Sequence, residues 1–324
     1  MVLTTMLPSD ALLTVPAEDG TILPTGRAVP ALRAEFRRIP SFRNALSVVS
    51  AYVQTLGIIV GAVWIGRWWA YVLAFLLMGR AHAQLAALMH EAAHRLLFRN
   101  KALNDWVGRW LLGYPSFAPT DQYRRAHMAH HRAEFGPEEP DMALYAGYPI
   151  PPDSFRRKLW RDLTGQTGWK LLKGLFRATR SSDPGTRRSA RSIIAVQIGL
   201  AVVSAAAGYP LVYWLLWFLP YMTVWRVINR LRSIAEHGGM TRSDDRRRTT
   251  HSVRQHRPAR FVLVPYWIGW HLAHHCDSGI PMRNLPRYHQ ELVRSGYVAD
   301  GLEYASYPAL WRALSSGASV VTSA

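Results

Sequence analysis

The sequence predicts an all-α integral membrane protein: four transmembrane helices in two hairpins, with histidine-rich polar segments on the cytoplasmic side. Three observations carry that expectation. Two stretches of the 324-residue chain are almost free of charge. Turn residues divide each stretch in two, Gly66-Arg67 in the first and Gly208-Tyr209-Pro210 in the second. Nine of the 13 histidines fall into compact groups in or beside the polar segments.

The first charge-poor stretch, 44–89, carries only Arg67 and Arg80, and the second, 192–225, carries no charge at all. A spanning helix needs about 20 apolar residues to cross roughly 30 Å of hydrocarbon. The second stretch is too long for one span, and Gly208-Tyr209-Pro210 places a turn near its middle. The expected spans there are about 192–208 and 210–230. The first stretch reads the same way, with its turn at Gly66-Arg67. Its second span is strongly apolar only over 68–79 and continues through Arg80, His82 and Gln84 to His90. A helix leaving the bilayer near Arg80 and projecting into water accounts for that pattern.

The polar segments complete the plan: 1–43, 90–191 and 231–324, the middle one carrying the first two histidine groups and the last one the others. Residues 1–26 read as a poorly ordered lead with no cleavable signal peptide, and TRSDDRRRTT at 241–250 as a solvated charged loop. The net charge is +18, from 39 Lys+Arg against 21 Asp+Glu, beside 49% hydrophobic residues. Arginines cluster outside the hairpin turns. The positive-inside rule therefore puts both termini and both large polar regions in the cytoplasm, at the cytoplasmic membrane. The basicity marks topology and anionic lipid, and no nucleic-acid partner is expected. A single cysteine, Cys276, excludes an internal disulfide framework and a multi-thiolate zinc site.

The histidine groups are HEAAH (His90, His94), HMAHH (His127, His130, His131), EHGG (His237) and HLAHH (His271, His274, His275). Positions i, i+3 and i+4 share one face of a helix, so each group can aim its imidazoles at one point. Imidazole suits Fe, Zn, Cu and Ni. Nine rings exceed what one metal uses, and two six-coordinate metals accommodate them. HEAAH alone also fits a zinc protease with Glu91 as base, which leaves both H-x-x-H-H groups unexplained. Glu91, Asp121, Glu134, Asp141, Glu236 and Asp277 stand near the groups and are candidate acceptors for the second ring nitrogen of a ligand. Glu91, Asp141 and Glu236 are the preferred three. His289 is a weaker, structural candidate.

HEAAH, HMAHH and HLAHH, with hydrophobic hairpins between them, resemble the integral-membrane fatty acid desaturase/hydroxylase superfamily. HLAHHCDSGIPMRNLPRYHQEL at 271–292 is similar to that family's ending, and RLRSIAEHGG at 230–239 to its approach to an extra histidine. The resemblance covers roughly 45–295. It implies a cytoplasmic helical cap that holds a histidine-rich di-metal site, a di-iron centre that uses O2 against an unactivated C–H bond, with His90, His94, His127, His130, His131, His237, His271, His274 and His275 as ligands. Some relatives have a polar residue one turn before the extra histidine, the position of Ser233 here. The implied reaction is desaturation of a fatty acyl or lipid chain. The alternative is a lipid, alkane or carotenoid hydroxylase or ketolase. Arg124, Arg125 and Arg156 are candidates for an anionic substrate head. No cytochrome, ferredoxin or rubredoxin domain is legible in the chain. Electrons are therefore expected from a separate protein: a ferredoxin, a rubredoxin, or a b-type cytochrome with its reductase.

Overall fold

The computed structural model describes residues 6–16 and 20–317. In chain order its first helices are α1 (Pro30–Phe36), α2 (Ser41–Ile65), α3 (Trp68–Ala93), α4 (Lys101–Val107), α5 (Thr120–Ala133) and α6 (Met142–Tyr145). Then come α7 (Pro152–Leu163), α8 (Gln166–Ala178), α9 (Pro184–Ala206), α10 (Pro210–Tyr213), α11 (Leu219–Met222) and α12 (Val224–His237). The last are α13 (Arg257–Val262), α14 (His271–Cys276), α15 (Leu285–Arg294) and α16 (Tyr307–Leu314). Among the described residues the only strands are a two-residue parallel pair, β1 (Ser252–Val253) and β2 (Glu303–Tyr304). The chain divides into two compact units. One comprises Pro40–Arg125 and Lys158–Asn229; the other comprises Ala126–Arg157, Arg230 onward and the segment before Pro40.

The first unit contains the apolar helices. Gly66 ends α2 at φ 64°, a left-handed conformation that a residue without a Cβ adopts at little cost. Gly208 does the same for the second hairpin at φ 86°. Four helical runs are long and apolar enough to cross a membrane: Pro30–Ile65, Trp68–Ala93, Pro184–Ala206 and Pro210–His237. Only 22% of the apolar window is buried in the first and third runs, against 67% in the second. Val53, Leu56, Val60 and Trp64 of α2 and Ile198, Val202 and Val203 of α9 are exposed. Apolar surface of that extent belongs in lipid. Trp64, Trp68 and Trp69 gather at the first hairpin tip, as in an interfacial aromatic belt.

Polar groups inside this unit are matched. The Gln197 amide donates to the carbonyls of Tyr114 (2.8 Å) and Pro115 (2.9 Å), and the Trp217 indole also donates to Pro115 (3.1 Å). Irregular backbone is thus tolerated beside the span helices because side chains satisfy it. Gly79 marks a close crossing, because a Cβ added there would lie 2.6 Å from Val224 Cβ and closer still to its Cγ1. Gly79→Ala is expected to destabilise the protein by about 1–3 kcal/mol through overpacking. Thermal unfolding in detergent reads this, and an unchanged midpoint would contradict the crossing.

The helices depart from the sequence expectation in three places. α9 begins at Pro184, well before the charge-free stretch, because Asp183 caps it through Gly185 and Thr186 and proline occupies its first turn. The fourth run is not a single α-helix. A π-helical stretch at Trp214–Phe218 separates α10 from α11, next to Pro220, which cannot donate to the turn before it. Nor does α3 project into water beyond Arg80. It is unbroken to Ala93 and buried over most of Met78–Ala93. The Arg80 guanidinium donates to Gln54 (2.9 Å) and Gln84 (3.0 Å) instead of reaching for headgroups.

The second unit corrects two further expectations. The lead before residue 27 is packed where it is described: Ile22 is buried, Tyr288 donates from its hydroxyl to the Gly26 carbonyl, and Arg247 donates to the Thr14 carbonyl at 2.8 Å. Residues 1–5 and 17–19 lie outside the described residues. The 241–250 segment is not simply a solvated loop. Arg247, Thr249 and Thr250 are buried, and Arg247 stacks over Tyr297 (4.2 Å) while pairing with Asp245 (2.7 Å). A guanidinium can be buried when its donors are all used in this way.

Candidate metal centre

α5 and α14 are short helices with one histidine-bearing face each. His127, His130 and His131 come from α5, and His271, His274 and His275 from α14. His237 ends α12. These seven rings belong to the second unit, and all are buried except the half-buried His131. Two clusters result, His130–His237–His275 and His131–His274–His275, each with its ring nitrogens within 4.8 Å of one another. Facing Nε2 atoms stand 3.1 Å apart in the pairs His237–His271 and His131–His274, and 3.2 Å apart in His127–His131. Nitrogens about 2.1 Å from one metal, with bonds at right angles, lie roughly 3 Å apart. The spacing therefore fits shared metal ligation.

The outer nitrogens show how the rings are held. His130 Nδ1 lies 2.9 Å and 3.0 Å from the two oxygens of Glu139. His275 Nδ1 lies 2.5 Å from Glu134, whose carboxylate is also paired with Arg246 at 2.6 Å. His237 Nδ1 donates to the Thr249 carbonyl at 2.8 Å. That contact is one of those that hold 241–250 inward, beside the Arg247 contacts. His271 differs: its Nδ1 lies 3.5 Å from Glu236 without a hydrogen bond, and Glu236 is held by Arg232 at 2.6 Å. At His130, His275 and His237 a proton fixed on Nδ1 leaves the Nε2 lone pair facing inward, as a ligating imidazole requires. The His275 Nε2 is buried with no hydrogen-bond partner, as expected of a nitrogen awaiting a metal.

Electrostatics divide the cluster. Burial, followed by the neighbouring imidazoles, pushes the pKa of His271 and His275 well below the ordinary value, so both are neutral and competent as ligands. Burial works against the imidazolium of His130 too, but the Glu139 hydrogen bond and charge raise its pKa. Burial would raise Glu139, and His130 brings it below its usual range.

The first unit carries His90 and His94, on and just after the last turn of α3, with ring centroids 4.7 Å apart. Glu91 is buried on the same turn. The end of α3 is pinned by Arg124, which donates to the carbonyls of Ala92 (3.0 Å) and Ala93 (2.8 Å) and pairs with Asp105 at 2.6 Å. Arg124 is thereby engaged within the protein and not held out for a substrate head. Arg125 and Arg156 are exposed.

The acidic candidates separate. Glu134 and Glu236 face imidazoles. Asp277 turns away to Arg33 and Arg37, each at 2.6 Å, and Asp121 to Arg109 at 2.7 Å. Asp141 stands near His130 and Glu139, and its backbone N–H donates to Glu139 at 3.0 Å. Glu139 is the residue that sequence reasoning missed. The four histidines outside the motifs each have a hydrogen-bonding partner: His82 on the Trp217 carbonyl, His251 on Gly238, His256 on Ala305 and His289 on the Glu303 carboxylate.

Comparison with known proteins agrees with this geometry. The family model described as fatty acid desaturase matches residues 66–308. Dihydrorhizobitoxine desaturase of Bradyrhizobium elkanii is 30% identical over 230 residues, covering 66% of this chain and 65% of that protein. The chloroplastic omega-6 fatty acid desaturase of Brassica napus is 23% identical over 292 residues, 80% of this chain and 61% of the relative. The sn-1 acyl-lipid omega-3 desaturase (ferredoxin) of Synechocystis is 27% identical over 111 residues, 33% of this chain and 30% of the relative. The chain thus spans less than two thirds of the length of these relatives. With a match over three quarters of its length, beside clustered histidines and four helical runs of membrane-spanning length, the chain belongs to the fatty acid desaturase family.

Proposed function

We propose that the protein is an O2-dependent oxidoreductase that introduces a double bond into the hydrocarbon chain of a fatty acyl or lipid substrate. The observation that carries this reading is the pair of imidazole clusters with outer nitrogens tied to Glu134, Glu139 and the Thr249 carbonyl. His90, His94, His127, His130, His131, His237, His271, His274 and His275 would hold two iron ions. Those ions would supply O2 activation for attack on an unactivated C–H bond. The protein's part is to keep the ligating nitrogens deprotonated and oriented. Burial does the first at His271 and His275, and the carboxylates and the Thr249 carbonyl do the second. Electrons would come from a separate carrier, a ferredoxin, a rubredoxin or a b-type cytochrome with its reductase. The basic surface favours an acidic partner.

Lipid profiling of cells with and without the gene, beside a His271→Ala control, tests the reaction. A product lighter by two mass units is expected in wild type alone. A gain of 16 would make the protein a hydroxylase, and an unchanged profile with the protein present would count against both.

The site and both termini would lie on the cytoplasmic side of the cytoplasmic membrane, since Arg67 is the only cation in either hairpin turn. Cysteine labelling reads this on a quiet background. Cys276 is buried, and burial pushes its thiol pKa up to about 12. Tyr209→Cys should react with an impermeant maleimide from outside the cell, and Ser182→Cys only after lysis. The reverse pattern would invert the topology.

A further inference from the structure

α8 is a helix whose exposed side has no role in the metal centre. Gly168 is buried, Leu172 and Leu175 are half-buried, and a Cβ on Gly168 would stand 2.9 Å from Met222 Cα, so α8 lies directly against α11. Trp169 and Phe176, two turns apart on one flank, are 56% and 53% exposed. Lys170, Lys173 and Arg177 fill the outer face, and no acidic residue occurs anywhere in 163–182.

The position of α8 along the spans is fixed from both sides. Met222 lies just before Trp225, where the charge-free stretch ends. α9 follows α8 after a short turn, with Arg187, Arg188 and Arg191 in its first turns and no charge from Ser192 onward. Both neighbours put α8 at the level where charge begins. Exposed aromatics flanking a purely cationic face, at that level, suit the headgroup layer of an anionic leaflet. The rings enter the acyl boundary and the long cationic side chains reach the phosphates.

We propose that α8 is an interfacial helix that binds anionic phospholipid headgroups through Lys170, Lys173 and Arg177, with Trp169 and Phe176 immersed beside them. The inference rests on the spans crossing a bilayer and not on the chemistry of the metal centre, so its test needs no active enzyme. The full chain is placed in nanodiscs of phosphatidylcholine with phosphatidylglycerol, carrying a spin label at Trp169→Cys or at Gln166→Cys. The label at 169 should be more accessible to oxygen than to a water-soluble nickel chelate, and the label at 166 the reverse. Equal nickel access at both positions would overturn immersion. Native mass spectrometry of the detergent-solubilised protein then compares phosphatidylglycerol with phosphatidylcholine adducts. Wild type should prefer phosphatidylglycerol, with each cation contributing about fivefold. The triple variant Lys170→Gln, Lys173→Gln, Arg177→Gln should lose that preference. A preference retained in the variant, or displaced by inorganic phosphate, would overturn the assignment of these side chains to lipid.

Discussion

If the centre holds two irons as proposed, His275→Ala is expected to strip both from the protein and to abolish turnover. His275 alone belongs to both of the imidazole clusters formed within the second unit. Its ring centroid lies 4.3 Å from that of His131, 4.5 Å from His271, 4.7 Å from His237 and 5.1 Å from His130. The cost exceeds one lost ligand. Glu134, paired with Arg246 at 2.6 Å, would remain buried after losing its imidazole. Iron measured by elemental analysis should fall from about two per chain, the number that nine imidazoles can share, to below one. His127→Ala should retain more. A His275→Ala protein that folds and keeps both metals would remove His275 from the ligand set. His289→Ala is the matched control. His289 stacks on Trp270 at 4.2 Å and pairs with Glu303 at 3.0 Å, so its loss should lower thermal stability and leave iron content unchanged.

How much of this was legible in the sequence depends on whether the determining contact is local. The hairpins were legible because charge-free length and a glycine turn are properties of a continuous segment. The histidine groups were legible because i, i+3 and i+4 spacing is a helical property, and α5 and α14 are helices over those residues. What failed depended on distant partners. Nothing within TRSDDRRRTT announces that Arg247 will be buried against Tyr297, or that the Thr249 carbonyl will meet His237. In both cases the meeting depends on the fold, not on spacing. Asp277 follows His275 by two residues and looked like an acceptor for the third group, yet its carboxylate belongs to Arg33 and Arg37, over two hundred residues away. Proximity in sequence misled there because a carboxylate takes the best cation within reach, and guanidinium outbids imidazole. Arg124 was misread for the same reason: a cation proposed for a ligand already holds the end of α3.

Glu139 shows the limit most clearly and gives the sharpest remaining test. Glu138 and Glu139 are adjacent, and composition cannot say which turns inward. The fold buries Glu139 against His130 and leaves Glu138 exposed. Glu139→Gln keeps the shape and removes the charge. His130 Nδ1 would then meet an amide in place of a carboxylate, and the basicity lent to its Nε2 would fall. Loss of such an outer partner typically costs 10–100-fold in metal affinity, and a shift of about that size is expected in a chelator competition assay, with activity returning at excess iron. Asp277→Asn makes the comparison decisive. It stands nearer to a histidine box in sequence, but its charge serves the bridge to Arg33 and Arg37, with Gly279 N–H as its further donor. It should cost about 1–3 kcal/mol of stability and leave metal affinity unchanged. If the two variants lose metal equally, the carboxylate contacts do not decide ligand strength and the site is held by packing alone. If only Glu139→Gln loses it, the charge beside His130 is what tunes the ligand. The raised pKa of His130 would then be a direct mark of that pairing.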